Sequence, residues 1–128
     1  MVQEPRFNCA LDAAMSVIEG RWKPTIICLL AQNGSMRFNE LLNRIGEVSS
    51  RMLSKQLKEL EADAIVSRTV DDTGALKVSY SLTERGMSLI PILSDLARWG
   101  AENQFRTLVE IETGEPLARG NIGVSEPI

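Results

Sequence analysis

The sequence predicts a mainly α-helical protein with one small β-hairpin, which is an α+β fold class. Helix-starting residues repeatedly precede apolar residues at helical spacing. Two β-rich runs, "AIVSRTV" and "KVSYSL", flank the turn-forming "DDTGAL". A length of 128 residues with 44% hydrophobic residues suits one compact domain. We place that domain at 1–112 and expect 113–128, which has Gly and Pro without apolar periodicity, to be a flexible tail.

The first two helices are predicted from their ends. Asn8 is a suitable cap for a helix of about three turns, and Gly20 is placed to end it. Pro24 suits the first turn of a second helix, whose "TIICLLAQ" is apolar enough to be buried. An Asn-Gly pair should stop this helix, and "SMRF" after it is expected to be short and extended.

The next two helices have one apolar side each. "NELLNRI" reads as a third helix, and Ser49 is a good cap for a fourth. At about 100° per residue, Leu53, Leu57 and Leu60 form a narrow stripe that should face the core. The outer face opposite this stripe carries a hydroxyl and three bases, Arg51, Ser54, Lys55 and Lys58, and Ser50 precedes them in the first turn.

The hairpin and the last helical region follow. Val78, Tyr80 and Leu82 alternate with polar residues, as a strand with one covered face requires. Thr83 is placed to cap a long helical region, and Pro91 should kink or interrupt it.

Composition excludes many kinds of catalytic site. The chain has no histidine, which removes imidazole-based triads, general bases and metal ligands, and its two cysteines lack disulfide or zinc spacing. No paired acids or phosphate-binding loop stand out, so we expect neither an enzyme nor a cofactor or metal. No apolar run approaches the ~18 residues of a membrane span, and no secretion signal is evident, which favours a cytoplasmic protein.

The charges are segregated although the net charge is only -3. Residues 20–58 contain seven bases and two acids, a local balance of +5. From residue 93 onward three bases face six acids, a balance of -3. Because phosphate binding responds to the local field more than to the total charge, the first segment remains a candidate for a polyanion partner.

The order of elements, three helices and a basic helix before a hairpin, describes a winged helix-turn-helix followed by a terminal helix. The motifs "GRWK", "RFNEL", "LSKQLKELE" and "YSLTERG" occur together, in order and at the usual spacing. In them the chain resembles HxlR-type winged helix-turn-helix transcriptional regulators, which are related to the MarR group. The resemblance covers roughly residues 8–104 and is specific because the motifs are combined.

This resemblance implies a homodimer that binds double-stranded DNA at a roughly palindromic operator. It implies that 49–60 is the recognition helix, that 71–76 is the wing and that terminal helices pair as the dimer interface. Two departures bear on local structure. The wing "DDTGAL" is acidic and lacks Pro, and Asp63-Ala64-Ile65 lacks the helix-ending Gly that the family often has.

The candidate DNA-binding residues follow from the outer face and the resemblance. They are Arg37, Asn39, Ser49, Ser50, Arg51, Ser54, Lys55, Lys58, Arg68 and Lys77. An ordinary solvated helix face is the alternative for the bases of the fourth helix. Asn39 could equally cap the third helix, and Arg68 and Lys77 could be solvated strand charges.

The terminal helices supply the candidate dimer contacts, which are Leu11, Met15, Leu93, Leu96 and Trp99. Trp22 is expected in the core. Cys9 near a helix start could sense an oxidant or electrophile, as the resemblance suggests, or could simply be packed, as expected for Cys28. The alternative function is a winged-helix protein-interaction module that binds DNA only weakly.

Overall fold

The computed structural model describes residues 8–71 and 77–105, which form six α-helices, a π-helical turn and three strands. The helices are α1 (Ala10–Ile18), α2 (Lys23–Asn33), α3 (Phe38–Ile45), α4 (Ser50–Ala62), α5 (Glu84–Met87) and α6 (Ile90–Gly100), which continues as the π-helical turn Ala101–Phe105. The strands are β1 (Ser35–Arg37), β2 (Val66–Asp71) and β3 (Lys77–Leu82). The predicted α+β class is confirmed, while the wing tip at 72–76 and the predicted tail at 113–128 lie outside the described residues.

The three strands form one antiparallel sheet in the order β1-β3-β2. The predicted hairpin is confirmed, with Val66 opposite Leu82 and Asp71 opposite Lys77. The short extended piece after α2 is β1, which pairs with the other side of β3 and sets Met36 opposite Tyr80. The sheet therefore joins the loop before α3 to the hairpin.

The core lies between the helices and the inner face of this sheet. Leu53, Leu57 and Leu60 of α4 are at most 1% exposed, which confirms the predicted stripe. They pack with apolar side chains from α2, α3, β1, β3 and α6 in one cluster, which includes Ile26, Ile27, Leu30, Met36, Leu41, Tyr80 and Leu93. The stripe therefore fixes which face of α4 is turned to the core.

The helix starts agree with the sequence at α4 and differ at α1 and α3. The backbone N–H of Met52 donates to Oγ of Ser49 at 3.1 Å, so the predicted cap is confirmed. The prediction for Asn8 is wrong, because Cys9 occupies the cap position of α1 and the backbone N–H of Asn8 donates to Asp12. Asn39 is not a cap either, because it lies inside α3.

The cap position of α3 belongs to Arg37. Its backbone N–H donates to Oε1 of Glu40 at 3.0 Å, which satisfies one donor at the start of the helix. The side chain of Asn39 is exposed and is not needed for this cap. Of the two alternatives for Asn39, a role in capping is thus contradicted.

The end of α4 shows how the missing glycine is accommodated. The N–H of Ile65 donates to the carbonyl of Leu60 at 2.9 Å, and that of Ala64 to Glu61 at 3.0 Å. These two bonds form a Schellman motif, in which the residue after the cap takes a left-handed conformation. Ala64 does so with φ of 59°, the one non-glycine residue with positive φ in 8–71 and 77–105.

The terminal helical region is split, as Pro91 predicts. The predicted cap at Thr83 is confirmed, since its Oγ1 accepts the N–H of Gly86 at 3.0 Å. The same hydroxyl donates to the carbonyl of Ala64 at 2.6 Å, and Nε of Arg85 donates to that of Asp63 at 3.0 Å. The start of α5 therefore satisfies carbonyls at the end of α4, while Pro91 lies in the first turn of α6.

Candidate DNA-binding surface

The outer face of α4 presents bases that the described protein leaves unpaired. Arg51, Lys55 and Lys58 are exposed, and none of them forms an ion pair within 8–71 and 77–105. Of the two serines next to these bases, Ser50 is exposed and Ser54 is half-buried. A helix that buries one face and offers free donors on the other has the form needed to enter a major groove.

The hydroxyl of Ser49 has a divided role. Its Oγ accepts the helix-capping bond from Met52, so the oxygen is already used as an acceptor within the protein. The hydroxyl hydrogen can still donate to a phosphate oxygen at the start of α4. Ser49 is exposed, which permits such a contact.

Lys23 does not belong to this surface, although the sequence counts it among the bases of residues 20–58. It is 4% exposed, and its Nζ lies 2.9 Å from Oε1 of Glu59. This contact lowers the pKa of Glu59, because the hydrogen bond from Lys23 favours the charged carboxylate. Lys23 is thus paired with Glu59 and does not add to the exposed basic surface.

Strand pairing brings two of the other predicted bases together. Arg37 lies opposite Ser79 on β3, and Lys77 lies on the same outer face of that strand. Both line an open cleft of about 280 Å³ between β1, the start of α3 and the base of the hairpin, together with Ser35, Met36, Glu40, Asp71 and Ser79. The cleft has mixed charge, so it is less basic than the outer face of α4.

Arg68 is separated from this pair. It is exposed and lies opposite Tyr80, so its side chain leaves the hairpin on the face opposite to that of Lys77. The two candidate contacts from the hairpin therefore lie on opposite faces of the sheet.

The terminal helices expose an apolar face, with one exception among the candidates. Leu11 (70%), Met15 (42%), Leu96 (55%) and Trp99 (59%) are exposed, but Leu93 is 4% exposed and packs in the core. The expectation for Leu93 is corrected, because it lies on the inner side of α6. Sequence reasoning missed Ile92, which is 60% exposed. Its spacing of four and seven residues from Leu96 and Trp99 puts it on their side of α6 and could have revealed it.

The two cysteines differ in environment. Cys9 is exposed at the start of α1, whereas Cys28 is buried in α2. Burial raises the pKa of the Cys28 thiol to about 11, so this side chain is protonated and unreactive near neutral pH. Trp22, expected in the core, is half-buried and packs against the core cluster without belonging to it.

Within the described ranges, no cluster of three or more Asp, Glu or Cys residues is arranged to hold a metal ion. None of the helices found between residues 8 and 105 is long and apolar enough to cross a membrane.

Known proteins with similar sequences and structures are transcriptional regulators. The sequence matches the HxlR-like helix-turn-helix family over residues 17–107. An HTH-type transcriptional regulator of Halalkalibacterium halodurans is 48% identical over 90 residues, which cover 70% of this chain and 80% of that protein.

Two solved structures share the architecture. The redox regulator HypR in its reduced form superposes with a TM-score of 0.73 and 39% identity, covering 80% of this chain and 99% of HypR. A MarR-family transcriptional regulator from Porphyromonas gingivalis gives a TM-score of 0.68 at 27% identity, with 80% of this chain and 99% of that chain covered. The resemblance inferred from the motifs is confirmed, and the chain belongs to the HxlR-like helix-turn-helix family of transcriptional regulators.

Proposed function

We propose that this regulator binds a roughly palindromic operator as a homodimer, with one α4 in the major groove at each half-site. The observation that carries the proposal is the set of exposed, unpaired bases on the outer face of α4, opposite a leucine stripe that is fully buried. Half-sites about one helical turn apart, roughly 34–36 Å, would suit such a dimer.

The residues of this surface divide by the contacts they can make. Arg51 and Lys55, with Ser50 and Ser54 beside them, lie near the start of α4 and would meet base edges or nearby phosphates. A second group would contact the sugar-phosphate backbone: Ser49, Lys58, Arg37, Asn39, Lys77 and Arg68. Asn39 fits that group because its side chain is exposed and plays no part in the cap of α3.

The homodimer would form through the exposed apolar face of the terminal helices. Leu11 and Met15 of α1, with Ile92, Leu96 and Trp99 of α6, leave large side chains in water that a second copy can cover. Pairing through this face would relate the two α4 helices by a two-fold axis, as a palindromic operator requires.

Fluorescence anisotropy tests the function with the chain's own upstream intergenic DNA and scrambled DNA, each at two salt concentrations. We expect tighter binding to the upstream DNA at both concentrations. Equal binding to the two DNAs would instead favour a protein-interaction module that binds DNA weakly.

The surface is tested by replacing Arg51 and Lys55 with alanine. Each lost phosphate contact should flatten the dependence of log affinity on log salt by about one unit. Arg98→Ala is the control, because it removes a base that is already paired with Asp95 at 2.9 Å on α6. An unchanged affinity and salt slope for the double variant would remove α4 from the interface.

We also propose that an oxidant or electrophile regulates this dimer through Cys9. The thiol is exposed beside the apolar face of α1, and the similar protein HypR is a redox regulator. Modification there would place a bulky or charged group next to the surface that a second copy covers. Release of operator DNA after treatment with a quinone should be lost in Cys9→Ser, and identical responses would exclude Cys9.

A further inference from the structure

The turn between α1 and α2 is attached to α4 by two polar contacts. The backbone N–H of Trp22 donates to Oε1 of Gln56 at 2.9 Å, and Nζ of Lys23 lies 2.9 Å from Oε1 of Glu59. Gln56 is 6% exposed and Lys23 is 4% exposed, and they are the two buried polar or charged residues among those described. We name this pair of contacts the turn–helix clasp.

The clasp adds directional contacts to a helix whose buried face packs mainly through apolar side chains. Apolar contacts are non-directional, so the leucine stripe alone specifies the rotation of the helix less sharply than polar contacts do. Hydrogen bonds and ion pairs weaken steeply with distance and angle, and they therefore define one orientation. Burying a lysine and a glutamine costs free energy unless they are paired, so breaking either contact would leave a buried polar group without its partner.

Glycine favours this close approach. A Cβ on Gly20 would lie 3.2 Å from Cδ of Lys23 and 3.3 Å from Nε2 of Gln56, closer than side chains normally pack. Its φ of 155° is also one that other residues rarely adopt. The backbone of the turn is thus shaped to admit both clasp side chains.

The clasp also connects the proposed dimer face to the proposed DNA-binding face. Leu11 and Met15 are exposed on α1, which ends at Ile18 with its cap at Glu19, directly before Gly20. On α4, Gln56 directly follows the exposed base Lys55, and Glu59 directly follows the exposed base Lys58. A rotation of α4 that broke the clasp would turn these bases relative to the dimer axis.

We propose that Lys23, Gln56 and Glu59 are positioning residues that hold the outer face of α4 at a fixed angle to the dimer axis and so set the preferred spacing of the operator half-sites. The proposal rests on the proposed function, and none of the three residues needs to touch DNA.

The variant Lys23→Met/Glu59→Gln tests it, because it removes both charges of the ion pair and keeps the side-chain lengths. Binding is compared on the operator and on versions with one base pair added or removed between half-sites, each of which rotates the second half-site by about 35°. We expect wild type to bind the operator about tenfold or more tightly than the altered spacings, because each weakened base contact is worth about tenfold in affinity. The variant should bind the operator only about threefold more tightly or less. The salt slope and the affinity for scrambled DNA should stay unchanged.

Glu61→Gln is the matched control, because it removes a charge from the same helix at a residue outside the clasp. Gln56→Leu is a second variant that removes the acceptor for Trp22 and leaves the ion pair in place. Both are compared with wild type at a temperature where circular dichroism shows all proteins to be folded. A clasp variant that lowers the melting temperature but keeps the wild-type spacing preference would overturn the proposal.

A measurement without DNA separates this proposal from the proposed function. Ala62 at the exposed end of α4 is replaced with Cys in a Cys9→Ser background and spin-labelled, while Cys28 stays protected by burial. Removing the ion pair should broaden the distance distribution between the two labels of a dimer, and an unchanged distribution would contradict positioning. Failure of wild type to distinguish operator from scrambled DNA would instead overturn the proposed function.

Discussion

Replacing Ala64 with Gly should stabilise the protein, because Ala64 holds a left-handed backbone with φ of 59° after α4. An L-residue in this conformation costs about 1–2 kcal/mol, which glycine does not incur. Glycine in turn loses about 0.4–1 kcal/mol more chain entropy on folding than alanine. The two Schellman hydrogen bonds use backbone atoms only and are kept, so the free energy of unfolding should rise by about 0.5–1 kcal/mol.

Chemical denaturation with thermal melting measures this change, and a gain of this size should raise the melting temperature by about 2–6 °C. Ala62→Gly is the matched control, because it adds the same residue two positions earlier, at the last residue of α4. There glycine should lower stability by up to about 1 kcal/mol, since the helical backbone favours alanine. If Ala64→Gly lowered stability as the control does, the left-handed cost assigned to Ala64 would be wrong.

Three other outcomes follow from local contacts. A Cβ at Gly86 would clash with the backbone carbonyl oxygen of Ile65, so Gly86→Ala should lower the free energy of unfolding by about 1–3 kcal/mol, as measured by chemical denaturation. Gly100→Ala, with open space around it, should not lower it, and equal effects would contradict the clash. The pKa of Glu59 is lowered in the folded state, so its stabilisation is present above the unfolded pKa and is lost as pH falls through the folded pKa. The stability difference between wild type and Glu59→Gln should therefore shrink as the pH falls below the ordinary glutamate pKa of about 4.3, and a constant difference would contradict the ion pair. A thiol reagent at about pH 8 should modify Cys9 at once and Cys28 only on unfolding, since burial raises the pKa of Cys28 to about 11; fast reaction of both would show that α2 opens.

Local patterns were sufficient to predict most of the fold and the central part of the candidate site. The leucine spacing of α4 predicted its core side and its outer face correctly, because the apolar residues of a buried helix face recur in the sequence with a period of about 3.6 residues. The cap at Ser49, the hairpin and the interruption at Pro91 were likewise predictable from residues a few positions apart.

The errors concern residues whose role depends on distant partners. In the sequence Lys23 looks like one more surface base. In the structure it forms an ion pair with Glu59, which lies far along the chain. Leu93 and Ile92 are adjacent apolar residues in the sequence, and only the packing of α6 decides that Leu93 is buried and Ile92 exposed. Arg37 and Lys77 share one cleft because β1, which carries Arg37, pairs with β3, which carries Lys77.

The sequence by itself therefore determined the class of fold, the order of elements, the helix that carries the bases and, through its combined motifs, the family. These properties depend on periodicity and on short-range hydrogen bonding, which neighbouring residues specify. Only the tertiary structure decided which polar residues pair within the protein and which stay available to a partner. That division depends on distances between segments far apart in the chain, and it is what ties α4 to the turn after α1 through Gln56 and Glu59.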